Sequence, residues 1–245
     1  MTQEQPDLFS TIGPHKEEKA VYEPPQEYLI QEAARPPAAA NETDEFMLPG
    51  AKKDPTWPEA GKLAELHSIA GNCELCRLRS TCNQVVFGEG PEDSRLMLIG
   101  EGPGQDEDLQ GRPFVGRAGQ LLDKILQAAE IERTDVYITN VVKCRPPQNR
   151  LPDVEEVKAC KGCLEAQVRL IKPGIIVCLG ALATQTVVDP RARISKVRGI
   201  WLTRAGIKIM PTFHPAAVLR NPEYKRPVWE DFKLIRDEYK KIQGR

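Results

Sequence analysis

Aromatic side chains are scarce in this 245-residue chain, at 6% of the total, and long apolar runs are missing. The longest stretch without a polar side chain, residues 173–183, holds eleven residues. A membrane-spanning helix needs about 20, so the sequence excludes a transmembrane segment of that kind. The opening residues MTQEQPDLFS are acidic and polar, without the basic start and apolar stretch of a secretory signal. The expected location is the cytoplasm. There is also no overall excess of one charge, since 34 Lys and Arg face 35 Asp and Glu for a net −1. Internal repeats are absent.

The neutral total conceals an uneven distribution. Residues 1–56 carry eleven acids against five bases and hold eight of the 21 prolines, so the remainder is basic. Such a segment buries too little apolar surface to offset its ordering entropy, which predicts a disordered acidic tail over 1–56. A short motif around Leu8 and Phe9 is a candidate for recruiting a protein partner, against the plainer reading of a solvated tail. Residues 57–245 form the folded body.

Within the body, strand-like and helix-like segments alternate, the pattern of a parallel sheet covered by helices. Four strands are predicted at 95–100, 135–142, 175–179 and 207–210, all rich in β-branched or aliphatic residues. Leu121, Leu122, Ile125, Leu126 and Ala129 recur at helical spacing. Further helices are expected at 153–170, capped by Asp153, at 181–187 and at 228–242. Right-handed connections would gather the carboxyl ends of the strands on one rim.

The unusual chemistry falls on that rim. Gly100-Glu101-Gly102-Pro103-Gly104, Glu107-Asp108 and the segment from Gly111 to Gly116, which contains Phe114, follow the first strand. The second leads into Asn140, with Lys143 and Cys144 next, and His214 with Val218, Leu219 and Arg220 follow the fourth. The glycine-rich turn lacks the Lys-Ser/Thr ending of a P-loop and the GxGxxG spacing, so a nucleotide cofactor is not expected. Each residue alone has a plain explanation: His214 as a cap, Asn140 as a turn residue, Phe114 as core, the acids as a solvated helix start. Together an aromatic ring, an amide, an imidazole and acids around glycines make a pocket for a planar polar ring.

Seven cysteines are an odd number, and reduced thiols are the rule in the cytoplasm, so a disulfide framework is not expected. Cys73 and Cys76 form a CxxC, Cys144 follows the second strand and Cys160 lies in the next helix. Four thiolates could surround one metal centre, and spacing does not separate zinc from an iron–sulfur cluster. Cys178 falls mid-strand as core; Cys82 and Cys163 are possible competitors for ligation.

These residues bring a family into view. The motifs GEGPGQDEDLQGRPFVGRAGQLL at 100–122, TNVVKCRPPQNR at 139–150, Ala159-Cys160 and HPAAVLRNP at 214–222 closely resemble the iron–sulfur, or family 4, uracil-DNA glycosylases. The resemblance implies a three-layer α/β/α fold around a four-stranded parallel sheet and a 4Fe-4S cluster on Cys73, Cys76, Cys144 and Cys160. It implies hydrolysis of the bond between uracil and deoxyribose in single- or double-stranded DNA, leaving an abasic site for base excision repair. Phe114 would stack on the flipped base, Asn140 would pair with its edge, and Glu101 with the backbone around Gly102 would complete the wall. His214 would donate to uracil O2 as negative charge develops there.

Two departures from the best-known uracil glycosylases stand out: Gly102 replaces an activating aspartate, and Gly104 replaces a thymine-excluding tyrosine. Glu107, or else Asp108, is the candidate for positioning water or stabilising the sugar cation. Lys143, Arg145, Arg150 and Arg220 are candidate phosphate contacts, and Val218 or Leu219 the wedge behind the flipped base. No KRRIH-like insertion with a histidine follows the second strand, which argues against covalent capture of the sugar. A monomer is expected. The competing reading is a noncatalytic, metal-stapled DNA-binding module that senses damaged bases.

Overall fold

Three of the strands bury every residue, polar ones included, instead of alternating buried with exposed positions. They are β1 (Leu96–Gly100), β2 (Val136–Asn140) and β3 (Ile175–Leu179). The computed structural model describes residues 46–49, 57 and 60–244. β4 (Leu202–Arg204) and β5 (Ile207–Thr212) complete a sheet of order β2-β1-β3-β5-β4. β2, β1, β3 and β5 run parallel. In the β1–β2 register Gly100 lies opposite Asn140.

The sheet therefore has five strands where the sequence predicts four. β4 pairs antiparallel with β5 at the edge, and the two-residue turn between them places Ala205 and Gly206 at φ +46° and +75°. Two left-handed residues match the hairpin twist. Three residues are too few to show a strand periodicity, and Ala205 is not a residue that announces such a turn.

Helices cover both faces and make three layers. On one face lie α1 (Leu63–Gly71), α4 (Val154–Ile171) and α5 (Ala181–Val187), which share a core with Met97, Ile99 and Ile176. On the other, α3 (Arg117–Ala128) and α8 (Lys225–Ile242) pack on Leu96, Leu98 and Val177. The predicted stripe of α3 is the buried one: Leu121, Leu122, Ile125 and Leu126 face the sheet. Each such side chain stabilises the fold by roughly 1.5–3 kcal/mol. α4 begins where the sequence places it, with Asp153 and Glu156 forming a capping box. Short helices α2 (Gln105–Gln110), α6 (Ile194–Val197) and α7 (Pro215–Arg220) sit in the connections.

Most of the predicted tail, including Leu8 and Phe9, lies outside the described residues. Residues 46–49 belong instead with the body. Phe46 and Leu48 are buried in the core beside α4, the Leu48 N–H donates to Glu165 Oε1 at 2.7 Å, and Lys161 Nζ donates to the Pro49 carbonyl. Composition summed over 56 residues hides this four-residue apolar segment, Phe-Met-Leu-Pro.

Candidate active site

β1 ends at Gly100, where a side chain would have no room. A Cβ there would stand 2.4 Å from Asn140 Oδ1 and 2.6 Å from Phe114 Cζ. The missing side chain lets the amide at the end of β2 and the ring from the β1–α3 connection meet over the sheet rim. Asn140 is 1% exposed, and its Oδ1 is a buried side-chain oxygen with no hydrogen-bond partner. Leaving such an acceptor unsatisfied costs about 1–3 kcal/mol, so this position favours an incoming N–H donor.

Phe114 adopts φ +52°, a left-handed conformation rare for an aromatic residue. Strain of this kind costs about 1–3 kcal/mol and survives only where neighbours enforce it. Glu107 enforces it: Oε1 accepts the N–H groups of Val115 at 2.9 Å and Gly116 at 2.8 Å, and Oε2 accepts that of Gly104 at 3.1 Å. Bonds to a charged acceptor contribute about 1.5–3 kcal/mol each, enough to offset the strain.

His214 precedes α7 as its cap, with Nδ1 accepting the Ala216 N–H at 3.1 Å. That bond leaves the imidazole proton on Nε2. Burial, helped by the nearby Arg220 guanidinium, pushes its pKa down to about 4, so the ring is neutral at physiological pH. Its centroid lies 5.5 Å from that of Phe114, tilted by 31°. Gly180, at φ +95°, makes room, since a Cβ there would stand 2.9 Å from the His214 Cβ. Aromatic face, amide and imidazole donor thus converge from three separate connections. Beside them, burial pushes the Glu101 carboxyl up, with Arg220 opposing the shift.

A second site lies behind the rim. Cys73, Cys76, Cys144 and Cys160 line one cavity, with Trp57 and Lys143 in its wall. Trp57 Nε1 donates to the Ala159 carbonyl at 2.9 Å, and its ring lies so close to Gly162 that a Cβ there would stand 2.4 Å from Cδ1. Burial pushes the Cys160 thiol up to about 12 and raises those of Cys76 and Cys144. Anionic ligands here would need a compensating cation. Cys163 and Cys178 are fully buried and stand outside this lining, as does Cys82. Four thiols lining one cavity are a ligand set that fits zinc or an iron–sulfur cluster.

The Uracil DNA glycosylase superfamily matches residues 87–233 of the chain. A type-4 uracil-DNA glycosylase of Thermotoga maritima is 50% identical over 175 residues, covering 69% of this chain and 90% of that protein. Type-4 relatives in Archaeoglobus fulgidus and Sulfurisphaera tokodaii are 44% and 43% identical, over 67% and 68% of this chain and 86% and 80% of their own. The chain belongs to the type-4 uracil-DNA glycosylases.

In this glycosylase the predicted site residues fall into two sets. Phe114, Asn140 and His214 come together at the sheet rim, with Glu101 and Arg220 beside them. Glu107 adjoins the Phe114 loop, with three of about four acceptor positions filled by backbone amides. Asp108 turns away from it and accepts from Asn83 N at 2.9 Å, Asn83 Nδ2 at 2.6 Å and Gln84 N at 3.5 Å. Gly102 abuts Val142, whose Cγ2 would be 2.8 Å from an added Cβ. In α7, Val218 is 2% exposed and Leu219 43%.

Lys143 is a correction. Although it follows a strand on the rim, it is 2% exposed and has no access to a phosphate. Arg150 is held by Glu156 through bonds of 2.6 and 2.8 Å, whereas Arg220 is exposed. The sequence reading also missed Gly180 and the Ala216 amide, which place His214 and set its proton. The only sequence signals for them are a glycine directly after β3 and a Pro following His214. Among the described residues no helix is long and apolar enough to cross a membrane.

Proposed function

We infer that this glycosylase flips uracil out of DNA and hydrolyses its N-glycosidic bond, leaving an abasic site. The observation that carries the reading is the orphan Asn140 Oδ1, buried beside the Phe114 ring and the neutral His214. A base must leave the stack before its glycosidic bond can be reached. Phe114 then stacks on the ring, and Asn140 accepts N3–H through Oδ1 while donating Nδ2–H to O4. Cytosine offers a lone pair at N3 and an amine at position 4, so both contacts fail at about 1–3 kcal/mol for each buried unpaired group.

Bond cleavage builds negative charge on the base and positive charge on the sugar. His214 donates Nε2–H to O2 as that charge grows, a contribution of about 3–4 kcal/mol for a preorganised donor. Of the two candidate acids, Glu107 borders the Phe114 loop and keeps one acceptor position open for water, whereas Asp108 anchors the Asn83–Gln84 segment. Glu101 and the backbone at Gly102 close the wall. Leu219, exposed on a helix whose neighbour Val218 is rooted in the core, fills the gap left by the flipped base. Arg220 attracts the DNA backbone, making binding salt-dependent.

Cys73, Cys76, Cys144 and Cys160 would hold a 4Fe-4S cluster. Bound, it would supply a four-point cross-link between the CxxC segment, the loop after β2 and α4; the hydrolysis itself transfers no electron.

The test is alkaline cleavage of a uracil-containing oligonucleotide, single- or double-stranded, after incubation with the protein. Abasic product from uracil and none from cytosine is the expected result. Binding without abasic product would replace this reading with that of a damage-sensing module.

A further inference from the structure

Lys143 carries a buried amine whose hydrogen-bond partners are all uncharged groups. Its Nζ donates to the Asn140 carbonyl at 2.6 Å, Thr139 Oγ1 at 2.7 Å and Gln167 Oε1 at 2.7 Å. These acceptors are themselves fixed: Thr139 Oγ1 and Gln167 Nε2 each donate to the Phe87 carbonyl at 2.9 Å. No carboxylate is among its hydrogen-bond partners. Its backbone N–H bonds to Cys160. Lys143 also lines the cavity shared by the four cysteines and immediately precedes Cys144. One residue therefore touches the thiol cavity with its backbone and the uracil-reading residue with its side chain.

We propose that Lys143 is a positioning residue that couples the four-cysteine cavity to Asn140, so that what the cavity holds sets the orientation of the amide that reads uracil. The Asn140 carbonyl and amide branch from the same Cα, so a donor fixing the carbonyl restricts the side chain as well. The backbone bond from Lys143 to Cys160 ties that same residue to the cavity wall. An error of about 1 Å in a positioned group is enough to cost about 100-fold in rate.

The inference rests on the uracil-excision reading and is tested on the full, iron-loaded chain with Lys143→Met and Lys143→Arg. Lys143→Met is expected to slow single-turnover excision by about 30-fold or more, with DNA affinity nearly unchanged, and Lys143→Arg to recover part of the rate. Linkage is reciprocal: free uracil, added as the probe, should perturb the visible circular dichroism of the wild-type cluster and leave that of Lys143→Met unchanged. Should Lys143→Met fail to fold or load iron, Thr139→Val removes one acceptor and keeps the lysine. With melting temperature unchanged, it is expected to lose about tenfold in excision and to show a weakened response to uracil. A wild-type excision rate in Lys143→Met, or in Thr139→Val where that variant is needed, overturns the coupling. So does a wild-type cluster spectrum indifferent to uracil. A wild-type protein that releases no uracil overturns the excision reading itself.

Discussion

His214 Nδ1 accepts the backbone N–H of Ala216 at 3.1 Å, which makes the start of α7 the device that decides which imidazole nitrogen carries the proton. Protonating Nδ1 would break this cap. The folded pKa of about 4 lies below the ordinary 6.5. Between these values the unfolded chain binds more protons than the folded one, so the contribution of His214 to stability is present above pH 6.5 and declines as pH falls toward 4. Melting temperature measured across this window should drop more steeply in the wild type than in His214→Ala. The same substitution should cut single-turnover excision about 100- to 1,000-fold, the loss typical of one preorganised donor. DNA affinity, from equilibrium binding, should change far less.

Asn140→Ala separates function from stability. It removes the orphan acceptor, whose burial costs about 1–3 kcal/mol, so thermal unfolding should occur at the same temperature or higher. Uracil excision should fall about 100-fold or more because recognition and alignment of the base are lost together.

Gly100→Ala would place a methyl group 2.4 Å from Asn140 Oδ1 and 2.6 Å from the Phe114 ring, displacing both. Excision should drop by about 100-fold. Gly71→Ala is the control, since a Cβ there meets nothing within 4 Å. At the end of α1 it should leave activity intact and raise stability by up to about 1 kcal/mol.

Neighbouring residues of α7 should give opposite phenotypes. Leu219→Ala, at an exposed position, should lower excision from double-stranded DNA more than from single-stranded DNA, with little change in melting. Val218→Ala should destabilise the fold by about 2 kcal/mol, from two buried methyl groups and the cavity they leave. Denaturant titration and a paired excision assay distinguish the two.

Among the cysteines, Ser replacement at Cys73, Cys76, Cys144 or Cys160 should reduce bound iron and the visible absorbance of the purified protein. Cys82→Ser and Cys178→Ser should retain both. Iron analysis showing full content in Cys144→Ser would remove it from the ligand set.

Much of this was legible in the chain because the relevant physics is local. A strand buried on both faces is mostly apolar, so β1 and β3 appear as runs of Leu, Ile, Met, Val and Cys, and β2 opens on Val, Tyr and Ile. A helix lying on a sheet must repeat its apolar residues every three or four positions, as Leu121, Leu122, Ile125 and Leu126 do. Phe114, Asn140 and His214 were legible as candidates because each directly follows, or closely trails, a strand that ends on the same rim. The edge strand β4 was not, because three residues contain no period. Nor was the docking of Phe46 and Leu48, which depends on contacts with α4 more than 100 positions away.

The four parallel strands, the helices at 121–129, 153–170, 181–187 and 228–242, the positions of the rim residues and the list of cysteines follow from the sequence by itself, since backbone propensity and apolar spacing act over a few residues. Tertiary structure alone decided which polar groups are already occupied. It spent Glu107 and Asp108 largely on backbone and side-chain amides, buried Lys143 behind the rim, chose Leu219 over Val218 for the surface, and left Asn140 Oδ1 unpaired. The reason is geometric: burial and hydrogen bonding depend on what distant segments bring to the same few ångströms, and spacing along the chain does not encode that distance.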